Sequence, residues 1–348
     1  MRVAIVGATG NVGSALVRAL QGEERVTEII GIARRPPGDD WPKVTWRRAD
    51  IARDNLDAAL WGADVIVSLA WVIQPSHDEP AMRAINVDGS RRVFEAAARA
   101  GARALVYASS VGAYSPGPRD RPVDESWPTG GIPTSFYSRH KAEVERILDR
   151  FERDHDDIRV VRMRPGLIFQ RSAGAEIRRY FVGKLLPSAL LRRERIPFVP
   201  RIEGLRLQAA HADDVADAYR RAILDEEARG AFNVAAEPVL DPDELARLLD
   251  ARPIGVPARL LRTIIDLTWR ARLQPTPPGW LDMGLQGPVM DTTRVREVLG
   301  WSELRSSGEA LLDVLEGLGN GAGDETPALA PTGARRFSRT PSASRREG

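Results

Sequence analysis

Val3-Ala4-Ile5-Val6-Gly7-Ala8-Thr9-Gly10-Asn11-Val12-Gly13 carries an apolar tetrapeptide straight into three evenly spaced glycines. A short apolar run bounded by Gly makes a buried strand and its exit turn. Gly7 gives the backbone freedom to leave the strand. Gly10 lets a pyrophosphate reach the amides at the start of the next helix, where the dipole favours negative charge. Gly13 lets that helix pack closely on the strand. As a bare pattern G-x-x-G-x-x-G also fits an ordinary strand-to-helix turn, and it differs from the G-x-G-x-x-G of simple dehydrogenases. Its place at the first βα turn of a regular alternation favours a dinucleotide cradle formed by Gly7, Thr9, Gly10, Asn11, Val12 and Gly13.

The alternation continues outward from there. Strands are expected at residues 3–6, 28–33, 44–48, 65–70, 105–109 and 159–164, with helices over about 12–20, 86–100 and 137–153. Strands and helices joined this tightly make an α/β fold, a doubly wound parallel sheet of Rossmann type. Residues 1–170 form this dinucleotide-binding domain, with 205–236 returning to it. Residues 171–204 and 237–318 are expected to form a smaller C-terminal substrate lobe over the carboxyl ends of the strands. Helices are expected near 175–184, 214–224, 242–249 and 292–299, the last capped by Asp291 or Thr292. From 319 to 348 the composition turns to Gly, Ala, Pro, Ser, Thr and Arg, which reads as a disordered tail.

Composition excludes several classes of function. Among 348 residues, 50 Lys+Arg against 48 Asp+Glu leave a net charge of +2, so no nucleic-acid partner is expected. The absence of Cys removes disulfides, thiolate nucleophiles and Cys-based zinc sites. The four His show no metal-like grouping, and His211 with Asp213 and Asp214 reads as a strand-to-helix junction capped by an Asp. A strand at the very start leaves no leader, and no apolar run approaches the ~20 residues of a membrane span. A cytoplasmic protein with a small-molecule substrate and no membrane partner is expected, a homodimer being left open.

The end of the second strand reads the adenosine ribose: an acidic residue there bonds a 2′-hydroxyl, whereas an Arg accepts a 2′-phosphate. Here the strand ends in Ala33-Arg34-Arg35 with no carboxylate. Either Arg34 and Arg35 are a solvated turn before Pro36-Pro37, or one of them holds the 2′-phosphate of NADP, the preferred cofactor, with NAD the alternative. Asp50 is placed either to hydrogen-bond the adenine amino group or to serve as a helix N-cap.

Tyr137-Ser138-Arg139-His140-Lys141 supplies the chemistry. Tyr137 and Lys141 are one helical turn apart on one face, so an ammonium can lie beneath the phenol. Bringing a phenol of pKa ~10 near neutrality needs about 4 kcal/mol, which a nearby ammonium and a positive nicotinamide ring can supply. The phenol then exchanges a proton with a substrate oxygen while hydride moves at the adjacent carbon.

Taken in order, Gly7-x-x-Gly10-x-x-Gly13, Asp50-Ile51, Leu69-Ala70, Asn86-Val87-x-Gly89, Tyr107-Ala108-Ser109-Ser110, Tyr137-x-x-x-Lys141 and Arg164-Pro165-Gly166 resemble the extended short-chain dehydrogenases/reductases. More narrowly, residues 1–317 resemble the NAD(P)-dependent epimerase/dehydratase family, and His211–Val215 and Phe232-Asn233-Val234 look like its return strand-helix and final strand. The resemblance implies that Ser110, Tyr137 and Lys141 are catalytic, with Ser110 polarising the substrate oxygen. It also implies that Ile51, Leu69, Ala70, Asn86, Tyr137, Lys141 and Pro165 border the cofactor, and that no metal is needed.

Departures from the family narrow the reaction. Ser110 is followed by Val111-Gly112 where 4,6-dehydratases carry an Asp-Glu pair, so elimination is not expected. Leu167-Ile168-Phe169 stands where sugar-nucleotide epimerases often place Asn, and with Trp71 and Trp127 it suits a less polar alcohol or carbonyl, or plain core. Two readings result: an NAD(P)-dependent oxidoreductase or epimerase acting at a secondary alcohol, or a non-catalytic NAD(P)-binding redox-sensing regulator on the same fold.

Overall fold

In a computed structural model, residues 1–73, 77–179, 192–324 and 326–331 are described. The strands of the main sheet are β1 (Arg2–Val6), β2 (Glu28–Ala33), β3 (Val44–Arg48), β4 (Val65–Ser68), β5 (Ala104–Ala108) and β6 (Arg159–Pro165). After these come β7 (Leu167–Phe169), β8 (Phe198–Arg201), β9 (Leu207–His211), β10 (Gly230–Val234), β11 (Ala236–Leu240) and β12 (Arg252–Gly255). Seven strands pair in the order β10-β6-β5-β4-β1-β2-β3, every pair parallel. The order reverses between β1 and β4, which opens the ligand crevice at the carboxyl ends of the strands.

Burial explains why β1, β2, β4 and β5 read as largely apolar runs, whereas β6 buries Arg159, Arg162 and Arg164 as well. Val3 and Ile5 of β1 face a core with α1 (Asn11–Gln21), whereas Ala4 and Val6 face the core on the other side. A parallel sheet covered on both faces favours apolar side chains at successive positions. The second face is covered by α2 (Asp57–Leu60), α4 (Gly89–Arg99) and α5 (Phe136–Asp154), with α3 (Glu79–Arg83) leading into α4. Next in the chain is the short α6 (Gly174–Ile177); the rest of the helix expected to 184 lies outside the described residues from 180 on.

α7 (Ala212–Leu224) packs on α1, and β10 adds to the edge of the main sheet beside β6. His211, not an Asp, caps α7: its Nδ1 accepts the Asp213 amide at 3.1 Å. Asp214, buried, instead accepts the Arg305 amide at 3.1 Å. β11, β9 and β7 form a small sheet, and β12 and β8 a parallel ribbon. The remaining helices are α8 (Pro242–Leu249), α9 (Ala258–Arg270), α10 (Gly279–Gln286), α11 (Thr293–Leu299) and α12 (Ser307–Asn320). At α11 the Asp291 carboxylate accepts the Thr293 amide at 2.8 Å.

α12 crosses residue 319, where the tail was expected to begin, and the chain beyond it stays packed. Leu329 and Thr326 are fully buried, and Thr326 Oγ donates to the Thr9 carbonyl at 2.9 Å. Leu329 and Thr326 thus order part of the stretch that composition placed in the tail. Residues 332–348 lie outside the described residues.

Candidate active site

The glycine turn leaves β1 at the crevice. Gly7 has φ +94°, a left-handed conformation open to glycine, and a Cβ there would lie 2.8 Å from the Ala70 amide. A Cβ on Gly13 would lie 2.2 Å from the Gly7 carbonyl oxygen. Gly10 differs: its Cβ would meet one atom at an ordinary 3.5 Å, so its surroundings are open. Gly10 is the N-cap of α1 and no side chain caps the first amides. Two glycines thus serve packing, and the third begins a helix whose first amides no side chain caps. That is the geometry a pyrophosphate fits.

Several expected cofactor residues are committed to the protein itself. Asn11 donates from Nδ2 to the Ile168 carbonyl at 3.0 Å and accepts Gln170 Nε2 at 2.6 Å, tying α1 to β7. Asn86 is fully buried; it accepts the Val72 amide at 2.7 Å and donates to the Val72 carbonyl at 3.0 Å. It therefore fixes the segment after β4, where Leu69 and Ala70 wall the glycine turn. The Asp50 carboxylate accepts the Ala52 amide at 2.9 Å in a turn, and α2 does not begin until Asp57. Ile51 is buried against Gly89, and Pro165 is buried at the end of β6. Arg34 and Arg35 are exposed at the end of β2, and neither forms an ion pair among the described residues.

Ser110 follows β5, and its Oγ accepts the Gly112 amide at 3.0 Å. Tyr137 and Lys141 are on α5, whose N-cap Ser135 accepts the Ser138 amide. The structure places Ser110 beside the Tyr137 phenol, close enough to lower its pKa. Burial pushes the Tyr137 phenol up to about 12, and Ser110 opposes this. Lys141 departs from its expected place beneath the phenol. Its Nζ donates to the Ala108 carbonyl at 2.6 Å and lies 3.6 Å from the Trp71 ring centroid. Burial holds its pKa well below the ordinary lysine range, with the Glu145 charge opposing. A lysine disposed to lose its charge does not depress a phenol, and the two shifts are consistent with each other.

Beneath this pair is a buried network that was not read from the sequence. Glu145, one turn beyond Lys141, accepts Ser109 Oγ at 2.5 Å and is gripped by Arg164 through Nε at 2.9 Å and Nη2 at 3.1 Å. Arg162 Nε lies 3.2 Å from its other face. Burial raises the Glu145 carboxyl, but Arg164 and Ser109 outweigh it and hold the group below the usual range. Arg164 also donates to Tyr114 Oη at 3.0 Å, which donates to Asn233 at 2.6 Å. The signal was present as Glu145 at the same helical spacing from Lys141 as Lys141 has from Tyr137.

Aromatic groups close over the phenol. Trp71 and Trp280 lie with ring centroids 5.9 and 5.0 Å from that of Tyr137. The Met283 sulfur lies near Gly112, 3.0 Å from where a Cβ would be. Trp71 Nε1 is buried and has no hydrogen-bond partner among the described residues, a donor left for a bound oxygen. Trp280 and Met283 belong to α10, which sequence reading did not find. Trp127 sits aside, its Nε1 donating to the Ser115 carbonyl at 3.4 Å. No group of three or more His, Cys, Asp or Glu suited to a metal occurs among the described residues.

A doubly wound sheet with its glycine turn at the point of reversal, and a Tyr-x-x-x-Lys helix beside it, defines an extended short-chain dehydrogenase/reductase scaffold. The sequence matches the NAD dependent epimerase/dehydratase family over residues 3–235. The chain belongs to that family. An uncharacterized protein of Mycobacterium bovis is 27% identical over 317 residues, covering 90% of this chain and 29% of that protein. This chain thus spans under a third of that relative's length. A UDP-glucose 4-epimerase of Mycolicibacterium smegmatis is 27% identical over 331 residues, covering 91% of this chain and 98% of that protein. MoeE5 in complex with UDP-glucose and NAD shares the fold, with a TM-score of 0.67 at 21% identity over 91% of this chain and 98% of that one.

Proposed function

We propose that this protein is an NAD(P)-dependent oxidoreductase or epimerase acting at a secondary alcohol or carbonyl. The observation that carries the reading is Tyr137 beside Ser110, with Lys141 one turn on along α5. The nicotinamide, when bound, supplies the hydride acceptor or donor. Ser110 holds and polarises the substrate oxygen, and Tyr137 Oη exchanges the proton with it. With its pKa near 12 the phenol is a proton donor as it stands. To act as a base near neutrality it needs roughly 7 kcal/mol of further stabilisation, for about five pKa units. Lys141 is the nearby group able to provide it, once its Nζ turns from Trp71 toward the phenol. Its engagement with Ala108 and Trp71 is the one observation that favours the alternative, a redox-sensing regulator without turnover.

The wall of Trp71, Trp280 and Met283 supports a substrate less polar than the sugar nucleotides named for the relatives. A screen of secondary alcohols, ketones and UDP-sugars with both cofactors, read by absorbance of the reduced nicotinamide, tests this. Turnover of apolar alcohols or ketones is the expected result. Turnover of UDP-sugars alone would overturn the apolar reading and keep the Ser-Tyr-Lys chemistry, and no turnover with any substrate would favour the regulator. The exposed Arg34 and Arg35 support a preference for NADP. NADPH should bind more tightly than NADH by tryptophan fluorescence, with the gap shrinking in Arg34→Ala/Arg35→Ala and in added salt; equal affinities would leave the two arginines a solvated turn.

A further inference from the structure

We infer that α9 and the turn after it form a docking face for an anionic membrane surface. α9 has no buried residue, although it is rich in Leu and Ile. Leu260, Ile264 and Leu267 are 55%, 48% and 61% exposed, and Leu273 just beyond the helix is 61% exposed. Their spacing of four and three residues puts the three helical side chains in one stripe facing solvent. The opposite side of the helix holds it to the body. There Arg262 pairs with Asp282 of α10 at 2.7 Å, and Trp269 stacks on His77 with centroids 4.3 Å apart. The stripe is therefore not a packing face left over from a loose helix.

Charge decides which partner the stripe fits. Of the five Arg in residues 252–273, Arg262 pairs with Asp282 on the far side and Arg270 with Asp266 at 2.9 Å, which leaves Arg252, Arg259 and Arg272 for a partner. Arg259 and Arg270 run along one flank of the stripe, and Arg272 adjoins Leu273. Among the described residues, Arg259 and Arg272 form no ion pair. A second copy of this chain would set these arginines against their like. Anionic headgroups complement them while the acyl boundary takes the leucines and isoleucine, as with other interfacial amphipathic helices. No helix among the described residues is long and apolar enough to cross a membrane, so the contact proposed is with its surface. The face stands on the α9–α10 pair that also brings Trp280 and Met283 to Tyr137, yet it requires no particular substrate.

Co-sedimentation of the full chain with vesicles of phosphatidylcholine plus phosphatidylglycerol, against phosphatidylcholine alone, tests the inference. Binding to the anionic vesicles should be at least about tenfold tighter, and added salt should weaken it. Ile264→Asp and, separately, Arg259→Glu/Arg272→Glu should each weaken it about tenfold with an unchanged melting temperature, since all three side chains are solvent-facing. Absence of the wild type from the anionic pellet, equal binding to both vesicles, or full binding by Ile264→Asp would overturn it. Loss of vesicle binding together with a smaller particle for Ile264→Asp by light scattering would assign the face to a copy-to-copy contact instead.

Discussion

Lys141 is the residue at which stability and function oppose each other. It is buried, its charge is disfavoured, and it keeps one hydrogen bond to Ala108 and the ring faces of Trp71, Tyr107 and Tyr137. A buried ammonium is costly, and an apolar side chain of similar length removes that cost. Lys141→Met should therefore melt no lower than the wild type in the absence of cofactor, while turnover falls at least about a hundredfold. The sign with pH follows from the depressed pKa. Between that value and the ordinary ~10.4 the unfolded chain binds the proton that the folded chain releases, so wild-type stability rises with pH across this window. In Lys141→Met that rise should flatten. Thermal melts at several pH values check both statements, and a loss of several degrees at neutral pH would show that Lys141 is a structural asset.

The elements were legible to different degrees. The strand-turn-helix from Val3 to Gln21 announced itself, because glycines and an apolar run mark both its geometry and its ligand. Its most testable consequence is Gly13→Ala. The new Cβ would overlap backbone on both sides of the turn, which a flexible side chain cannot relieve. A loss of about 1–3 kcal/mol and a marked fall in cofactor affinity are expected by denaturant titration and fluorescence; Gly10→Ala, with open surroundings, should spare stability. α9 and α10 were not legible, because their apolar residues point partly to solvent and partly into a site made by distant segments. Asn86 and Asp50 each hydrogen-bond neighbouring backbone, which their motif positions did not announce. A hydrogen-bonding side chain at a motif position serves the backbone or the ligand equally well in sequence, and only their neighbours decide. The Glu145–Arg164 pair was hidden for a similar reason, since its partners meet only after β5, β6 and α5 pack.

The whole chain closes on its own glycine turn through the C-terminal stretch. Thr326 bonds the carbonyl of Thr9, and Asp324 pairs with Arg18 of α1 at 3.3 Å. Burying Leu329 contributes about 2 kcal/mol, which corresponds to a shift of several degrees in melting temperature. Truncation after Asn320 should lower the melting temperature by that much and alter cofactor affinity; an unchanged melt would mean that this stretch does not hold the body. The central claim is that a proton passes through one oxygen, that of Tyr137, at a built nicotinamide site. The most direct measurement is single turnover by Tyr137→Phe beside its cofactor affinity, using the substrate that the screen identifies. A fall of at least about a hundredfold in the rate with unchanged cofactor binding is the predicted result, and a rate equal to that of the wild type would contradict it.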